Sequence, residues 1–106
     1  MIELRDDISN WYLELKEIDK KEKIIAIAVA KNNYTGTESF LFDNIESAKE
    51  ILNYDFDSGY GGSNGSFFTA WTKDVVYFPA VYDGAEWIAS VPRNPCNNAT
   101  KHVGGE

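Results

Sequence analysis

Residues 67–93 read FFTAWTKDVVYFPAVYDGAEWIASVPR and contain the strongest turn signal in the chain. Asp83 and Gly84 stand between two apolar runs, and an Asp-Gly pair in that position supplies the positive φ angles of a type I′ hairpin turn. The sequence therefore predicts a β-hairpin with strands at residues 75–82 and 85–91.

A further strand is predicted before the hairpin, at residues 67–71, with a turn at residues 72–74, so that three strands form a meander in sequence order. The strand at residues 75–82 is apolar on both faces. One face therefore packs on the core, and the other is either covered or an exposed apolar surface. Pro79 has no N–H to donate, which predicts that its strand is an edge there or is interrupted by a bulge.

Two amphipathic helices are predicted upstream. The first is indicated by apolar residues at helical spacing, Ile8, Trp11, Tyr12, Leu15 and Ile18, with Asp6 or Asp7 as its N-cap. Residues 11–15 also fit an alternating strand, and residues 19–23 (DKKEK) predict a solvated turn. The second helix follows Asp43 and Glu46, which have capping-box spacing, and its apolar face is Ile45, Ala48, Ile51 and Leu52.

Two strands separate these helices. Residues 24–30, IIAIAVA, predict a strand that is covered on both faces, or one whose small residues, Ala26, Ala28 and Ala30, lie under a helix. Residues 38–42 predict its partner. The order α-β-β-α-β-β-β indicates a two-layer α+β fold, with a mostly antiparallel sheet of about five strands and the helices packed on one face.

The chain has 106 residues, which suits one domain. We expect residues 1–93 to form it and the polar residues 94–106 to be a loosely ordered tail. The net charge of −7 is concentrated between residues 32 and 92, where nine acidic residues face two lysines. Such a surface repels nucleic acid and anionic membranes and attracts basic proteins, although acidity also serves solubility alone.

A single cysteine, Cys96, excludes an internal disulfide. The first ten residues lack the apolar segment of a signal peptide, and the longest apolar run, residues 24–30, is too short to cross a membrane. These features predict a cytoplasmic protein with no membrane contact.

Residues 53–66, NYDFDSGYGGSNGS, form a glycine-rich loop. The spacing of Asp55, Asp57 and Gly59 resembles the start of a calcium loop, but the later acidic ligands and the required glycine are missing. No Gly-Lys-Ser/Thr follows to hold phosphate. The loop either presents Tyr54, Phe56 and Tyr60 among carboxylates to a partner's Lys or Arg, or its aromatic side chains pack back onto the sheet.

The remaining chemistry is sparse. His102, the only histidine, and Cys96 lie six residues apart in the tail, which gives too few ligands for zinc. Carboxylates beside aromatic residues, Asp55, Asp57, Asp83 and Glu86, leave glycoside-type hydrolysis open. We expect no cofactor, no metal site and no direct binding of nucleic acid, since stacking platforms need a basic groove.

The segments FTAW (residues 68–71), VYFPAVYDGAEW (76–87) and VPRNPC (91–96) resemble a block in small, functionally uncharacterised proteins encoded by bacteriophages and prophages. The resemblance covers the C-terminal third to half of the chain and implies no activity or site residues. It implies a setting, because small acidic phage proteins often bind and block a host or defence protein.

The favoured hypothesis is a non-enzymatic protein-binding module, an inhibitor or anti-defence protein that docks a basic surface. Its candidate partner-binding residues are Tyr54, Asp55, Phe56, Asp57, Tyr60, Asp83, Glu86 and Trp87. The alternative is a small-molecule-binding or hydrolytic domain that uses the carboxylates of the glycine-rich loop. A self-associating protein, a homo-oligomer, is the third hypothesis.

Overall fold

The computed structural model describes residues 8–30, 38–59 and 64–104. They form the predicted α+β fold, in which helices pack on one face of a five-stranded antiparallel sheet. The elements are strand β1 (Ile8–Ser9), helix α1 (Trp11–Lys21), strands β2 (Ala26–Ala30) and β3 (Ser39–Phe42), a 3-10 turn (Glu46–Ala48), helix α2 (Lys49–Leu52), and strands β4 (Phe56–Asp57), β5 (Phe68–Trp71), β6 (Val75–Tyr82) and β7 (Ala85–Pro92).

The five-stranded sheet has the order β3-β2-β5-β6-β7. Its last three strands form the predicted meander, and the turn between β6 and β7 is the predicted type I′ turn. Asp83 and Gly84 have φ angles of 50° and 86°, and Tyr82 pairs with Ala85 across them. The Asp-Gly pair therefore fixes the register of the whole hairpin.

Pro79 ends the contact between β5 and β6. The Thr72 N–H donates to the Val75 carbonyl at 2.9 Å, and alternate pairs along an antiparallel ladder bond in the same way. Phe68 and Pro79 would form such a pair, but Pro79 has no N–H to give. β6 accordingly pairs with β5 only as far as Tyr77, so beyond that residue it is an edge on this side, as predicted.

Helix α1 begins later than the sequence predicts. Its N-cap is Asn10, whose side-chain oxygen accepts a hydrogen bond from the Leu13 N–H at 3.1 Å. The prediction that the helical pattern begins at Ile8 is wrong, because Ile8 and Ser9 pair as a strand with β4. The predicted caps, Asp6 and Asp7, lie outside the described residues. The helix continues to Lys21, into the predicted turn at residues 19–23.

In the second helical segment, the side chain that bonds to the first turn is Asn44 and not the predicted Asp43. The side-chain oxygen of Asn44 accepts hydrogen bonds from the N–H and the hydroxyl of Ser47, at 2.9 and 3.1 Å, and Asp43 is exposed. The predicted apolar face is confirmed. Three of its residues, Ile45, Ala48 and Leu52, are buried, and Ile51 packs against them.

The core lies between the helices and one face of the sheet, and Trp11 is at its centre. Its indole is 1% exposed and makes edge contacts with the rings of Phe56 and Phe68, with centroids 4.8 and 5.7 Å apart. On β2, Ile27 and Val29 face the helices. The alternative prediction that the alanine face of this strand lies under a helix is wrong.

Two features lie beside this sheet. The short ribbon of β1 and β4, which the sequence did not predict, joins the start of α1 to the glycine-rich loop. After Pro92 the described residues form no helix or strand, and most are exposed. The tail nevertheless approaches β6 at Gly104, since a β-carbon there would lie 3.0 Å from the Val81 carbonyl oxygen.

Candidate functional site

The tip of the β6–β7 hairpin carries an exposed aromatic and acidic surface. Tyr82 is 50% exposed and Trp87 is 38% exposed, and the register places both on the face of the sheet opposite the helices. Asp83 lies at the tip between them in sequence and is exposed. We call these three residues the hairpin surface. The sequence left the position of Trp87 open, and the structure places its side chain outside the core.

The hairpin surface continues into an apolar outer face of the sheet. The register places Trp71 and Phe78 on this face, where they are half-buried, and Leu41 on the far side is 70% exposed. Both helices pack on the opposite side of the sheet. The outer face is therefore apolar and partly exposed: Leu41, Tyr82 and Trp87 are exposed on it, whereas Ala30 and Ala80 on the same face are buried.

Glu86 does not belong to this surface. Its side chain is 9% exposed and lies on the helix side of the sheet, where its two carboxylate oxygens accept hydrogen bonds from the N–H groups of Asn64 and Gly65, at 2.7 and 3.1 Å. Its own N–H donates to the Ser58 carbonyl at 2.7 Å. The prediction that Glu86 contacts a partner is corrected, because this carboxylate holds the glycine-rich loop against β7.

Phe56 is also unavailable to a partner, because it is buried against Trp11. Tyr54 is half-buried, its ring lies 5.9 Å from that of Phe56, and its hydroxyl is 3.0 Å from the Ser66 hydroxyl. For these two residues the structure matches the reading in which the loop aromatics pack back onto the fold. Tyr60 lies outside the described residues.

The two aspartates of the loop act as hydrogen-bond acceptors within the fold. Asp55 accepts from the Asn10 side-chain amide at 3.1 Å, and Asp57 accepts from the Gly59 N–H at 2.9 Å. Asp55 thus helps to fix the residue that caps α1. These bonds give both aspartates a role in the geometry of the loop.

The helical layer carries a polar cluster that was not predicted from the sequence. The Tyr12 hydroxyl donates to both carboxylate oxygens of Glu46, at 2.9 and 2.8 Å. The ammonium groups of Lys16 and Lys49 lie 5.5 and 5.4 Å from the centre of the Tyr12 ring, and Lys16 also pairs with Glu46 at 3.5 Å. The bond to Glu46 raises the pKa of Tyr12, and the same bond lowers the pKa of Glu46.

A second tyrosine joins the sheet to the end of α1. The Tyr77 hydroxyl donates to Glu22 at 2.8 Å, immediately after the last residue of the helix. Burial raises the pKa of Tyr77 to about 12, and the hydrogen bond to Glu22 acts in the same direction. Helical spacing could not reveal this pair, because its members are far apart in the chain.

The clefts lined by described residues include one beside β3 and one beside β6. The first, of about 490 Å³, lies between β3 and α2 and is lined by Phe40, Phe42, Glu50 and Ile51. The second, of about 220 Å³, lies where β5 and β6 separate, and Gly65, Phe67, Pro79, Ala80, Val81 and Glu86 line it. Within residues 8–30, 38–59 and 64–104, no three His, Cys, Asp or Glu side chains converge as metal ligands.

Comparison with protein-family models, curated proteins and solved structures finds no match to this chain. In the described part of the chain, no helix has the length and apolar character needed to cross a bilayer. The functional inference therefore depends on the surfaces of the fold and on their charge.

Proposed function

We propose that this protein is a non-enzymatic binding module of the cytoplasm that docks a basic surface of another protein through the hairpin surface. The observation that carries the proposal is the placement of an exposed acid, Asp83, at the tip of the β6–β7 hairpin, which also exposes Tyr82 and Trp87. Aromatic faces attract Lys and Arg side chains by cation–π contacts, and a neighbouring carboxylate adds an ionic contact.

Charge supports a basic partner. Between residues 32 and 92 nine acidic residues face two lysines, and the hairpin strands β6 and β7 contain no lysine or arginine. Such a field speeds the encounter with a positive surface and disfavours acidic partners. The resemblance of the C-terminal block to small phage-encoded proteins supports an inhibitory or anti-defence role, in which the partner is a host or defence protein.

The test is a binding measurement on purified candidate partners with basic surfaces, repeated over a rising salt series. We expect Trp87→Ala to weaken association at least about tenfold, as for a buried aromatic anchor. Asp83→Asn should weaken it less and flatten the salt dependence. Leu13→Ala, which truncates an exposed apolar residue on α1, is the matched control and should change nothing.

The stability of the same variants separates loss of contact from loss of fold. Trp87→Ala should destabilise the protein far less than Trp11→Ala, which removes the central core residue and should cost about 3–5 kcal/mol. Association that is independent of salt, or that survives Trp87→Ala unchanged, would contradict the proposal.

A further inference from the structure

Strand β3 is an edge of the sheet, and its strand partner among the described residues is β2. The other edge, β7, is partly covered, because the Glu86 N–H donates to the Ser58 carbonyl. An exposed edge strand is a template on which another strand can pair through main-chain hydrogen bonds.

The hydrogen-bond ladder of β2 determines which groups of β3 are directed outward. The Ala30 N–H donates to the Phe67 carbonyl at 3.0 Å, so the even-numbered residues of β2 bond toward β5 and the odd-numbered ones bond toward β3. The odd-numbered residues of β2 pair with Phe40 and Phe42. These two residues of β3 are therefore bonded inward.

The N–H and C=O groups of Ser39 and Leu41 consequently point away from the sheet. Their side chains lie on the outer face, where Leu41 is the most exposed large apolar residue of the described chain, at 70%. These N–H and C=O groups are therefore directed at the position that an added strand would occupy.

The groove of about 490 Å³ runs beside this edge on the helix side. Phe40, which is 40% exposed, and Phe42 form its β3 wall, and Ile51 of α2 lies across from them. Because side chains alternate along a strand, every second residue of an added strand would enter this groove. Apolar side chains suit its aromatic and aliphatic lining.

Three carboxylates surround this edge. Glu38 precedes β3, Asp43 follows it, and Glu50 lines the groove; all three are exposed. A second copy of this chain would bring three more carboxylates to the same seam, and like charges beside each other destabilise strand pairing. A strand with Lys or Arg at its ends would instead neutralise them.

We propose that the β3 edge binds an extended segment of another protein by strand addition, with apolar side chains in the groove and basic side chains beside Glu38, Asp43 and Glu50. The site is independent of the hairpin surface, because the two lie at opposite edges of the sheet. Binding at one site can therefore be absent while binding at the other is present.

The probe is a capped seven-residue peptide, Lys-Val-Thr-Val-Thr-Val-Lys, titrated into the full chain and followed by backbone NMR. We expect shifts along residues 38–43 and slower hydrogen exchange at the N–H groups of Ser39 and Leu41. A peptide N-methylated at the residues that bond to β3 keeps its side chains and should not bind. A peptide with Glu in place of Lys should bind at least about threefold more weakly, as expected for exposed charge pairs.

Two variants test the protein side. Leu41→Pro removes an N–H that faces the open edge and leaves the inward bonds of Phe40 and Phe42 in place, so binding should be lost while the fold is kept. Glu50→Lys changes a charge beside the groove and does not alter the backbone of β3, and it should weaken peptide binding. Glu17→Lys on the exposed face of α1 makes the same charge change and should not weaken it. Asp83→Asn should leave peptide binding unchanged.

Three results would overturn strand addition at this edge. They are an absence of protection at Leu41 with saturating peptide, equal binding of the N-methylated peptide, and a concentration-dependent dimer in which Ser39 and Leu41 are already protected. The last result would assign the edge to a second copy of the chain.

Discussion

Gly65 lies directly against the indole of Trp11. A β-carbon at Gly65 would overlap the Trp11 ring and come within 2.7 Å of the Phe56 ring, while the Trp11 Nε1–H donates to the Ser66 carbonyl at 3.1 Å. The loop therefore closes over the central core residue through the one residue type that lacks a β-carbon.

Gly65→Ala should destabilise the fold by about 1–3 kcal/mol, because the added methyl group overpacks a rigid aromatic cluster. Urea denaturation measures the loss. In a Trp11→Phe background the smaller ring leaves room, so the same substitution should cost less. Equal losses in the two backgrounds would show that the indole does not set the requirement for glycine.

Gly84→Val should cost on the order of 1–3 kcal/mol, because Gly84 has a φ of 86°, which a β-branched residue adopts only with strain. Gly84→Asn is the matched control, since asparagine tolerates positive φ, and its loss should be much smaller. Thermal melts of both variants decide the matter. A melting temperature unchanged by valine would contradict the turn.

Glu86→Gln should destabilise the protein by about 1.5–3 kcal/mol, because the amide loses the charge that strengthens the bonds from Asn64 and Gly65 and directs an NH₂ group at one of two donors. Asp83→Asn makes the same chemical change at an exposed position and should be nearly neutral. Chemical denaturation of both variants is the measurement. Similar small losses at the two positions would show that Glu86 does not hold the loop.

Alkaline pH should weaken the fold through Tyr77. Its pKa of about 12 in the folded protein lies above the ordinary tyrosine value of about 10, so the folded state favours the protonated hydroxyl. The stabilisation is fully present below pH 10 and is lost as pH rises toward 12. Tyr77→Phe should remove this component of the pH dependence, as measured by denaturation at several alkaline pH values. An identical alkaline profile in the variant would exclude Tyr77 as its source.

The sequence predicted the meander well because its signals are local. A positive-φ turn, a missing N–H and period-two alternation act within a few residues, so Asp83, Gly84 and Pro79 could be interpreted without knowing the fold. The apolar faces of both helices were predicted for the same reason. The helix starts were not, because each N-terminal region offers several acceptors and only geometry selects Asn10 and Asn44.

The exposure of the candidate binding residues was predicted less well than the meander, because exposure is a property of packing between distant segments. Glu86 carries a charge that normally signals the surface, yet two N–H groups of the loop draw it inside. Phe56 sits among polar residues in the sequence and becomes part of the core through Trp11. The two-residue strands β1 and β4 were also missed, since a pairing so short leaves no periodic pattern.

The separation of β6 from β5 at Pro79 makes the outer part of the hairpin a projecting two-stranded arm. Its attachment to the rest of the molecule includes the side chain of Ile88, which packs against the core, and the hydrogen bonds between Glu86 and the glycine-rich loop. The position of Trp87 therefore depends in part on the buried Glu86 carboxylate on the opposite face of the hairpin. A ligand or substitution that weakens the bonds between the glycine-rich loop and Glu86 should therefore shift the outer part of the hairpin. The aromatic side chains at its tip would then move although no residue of the hairpin had been substituted.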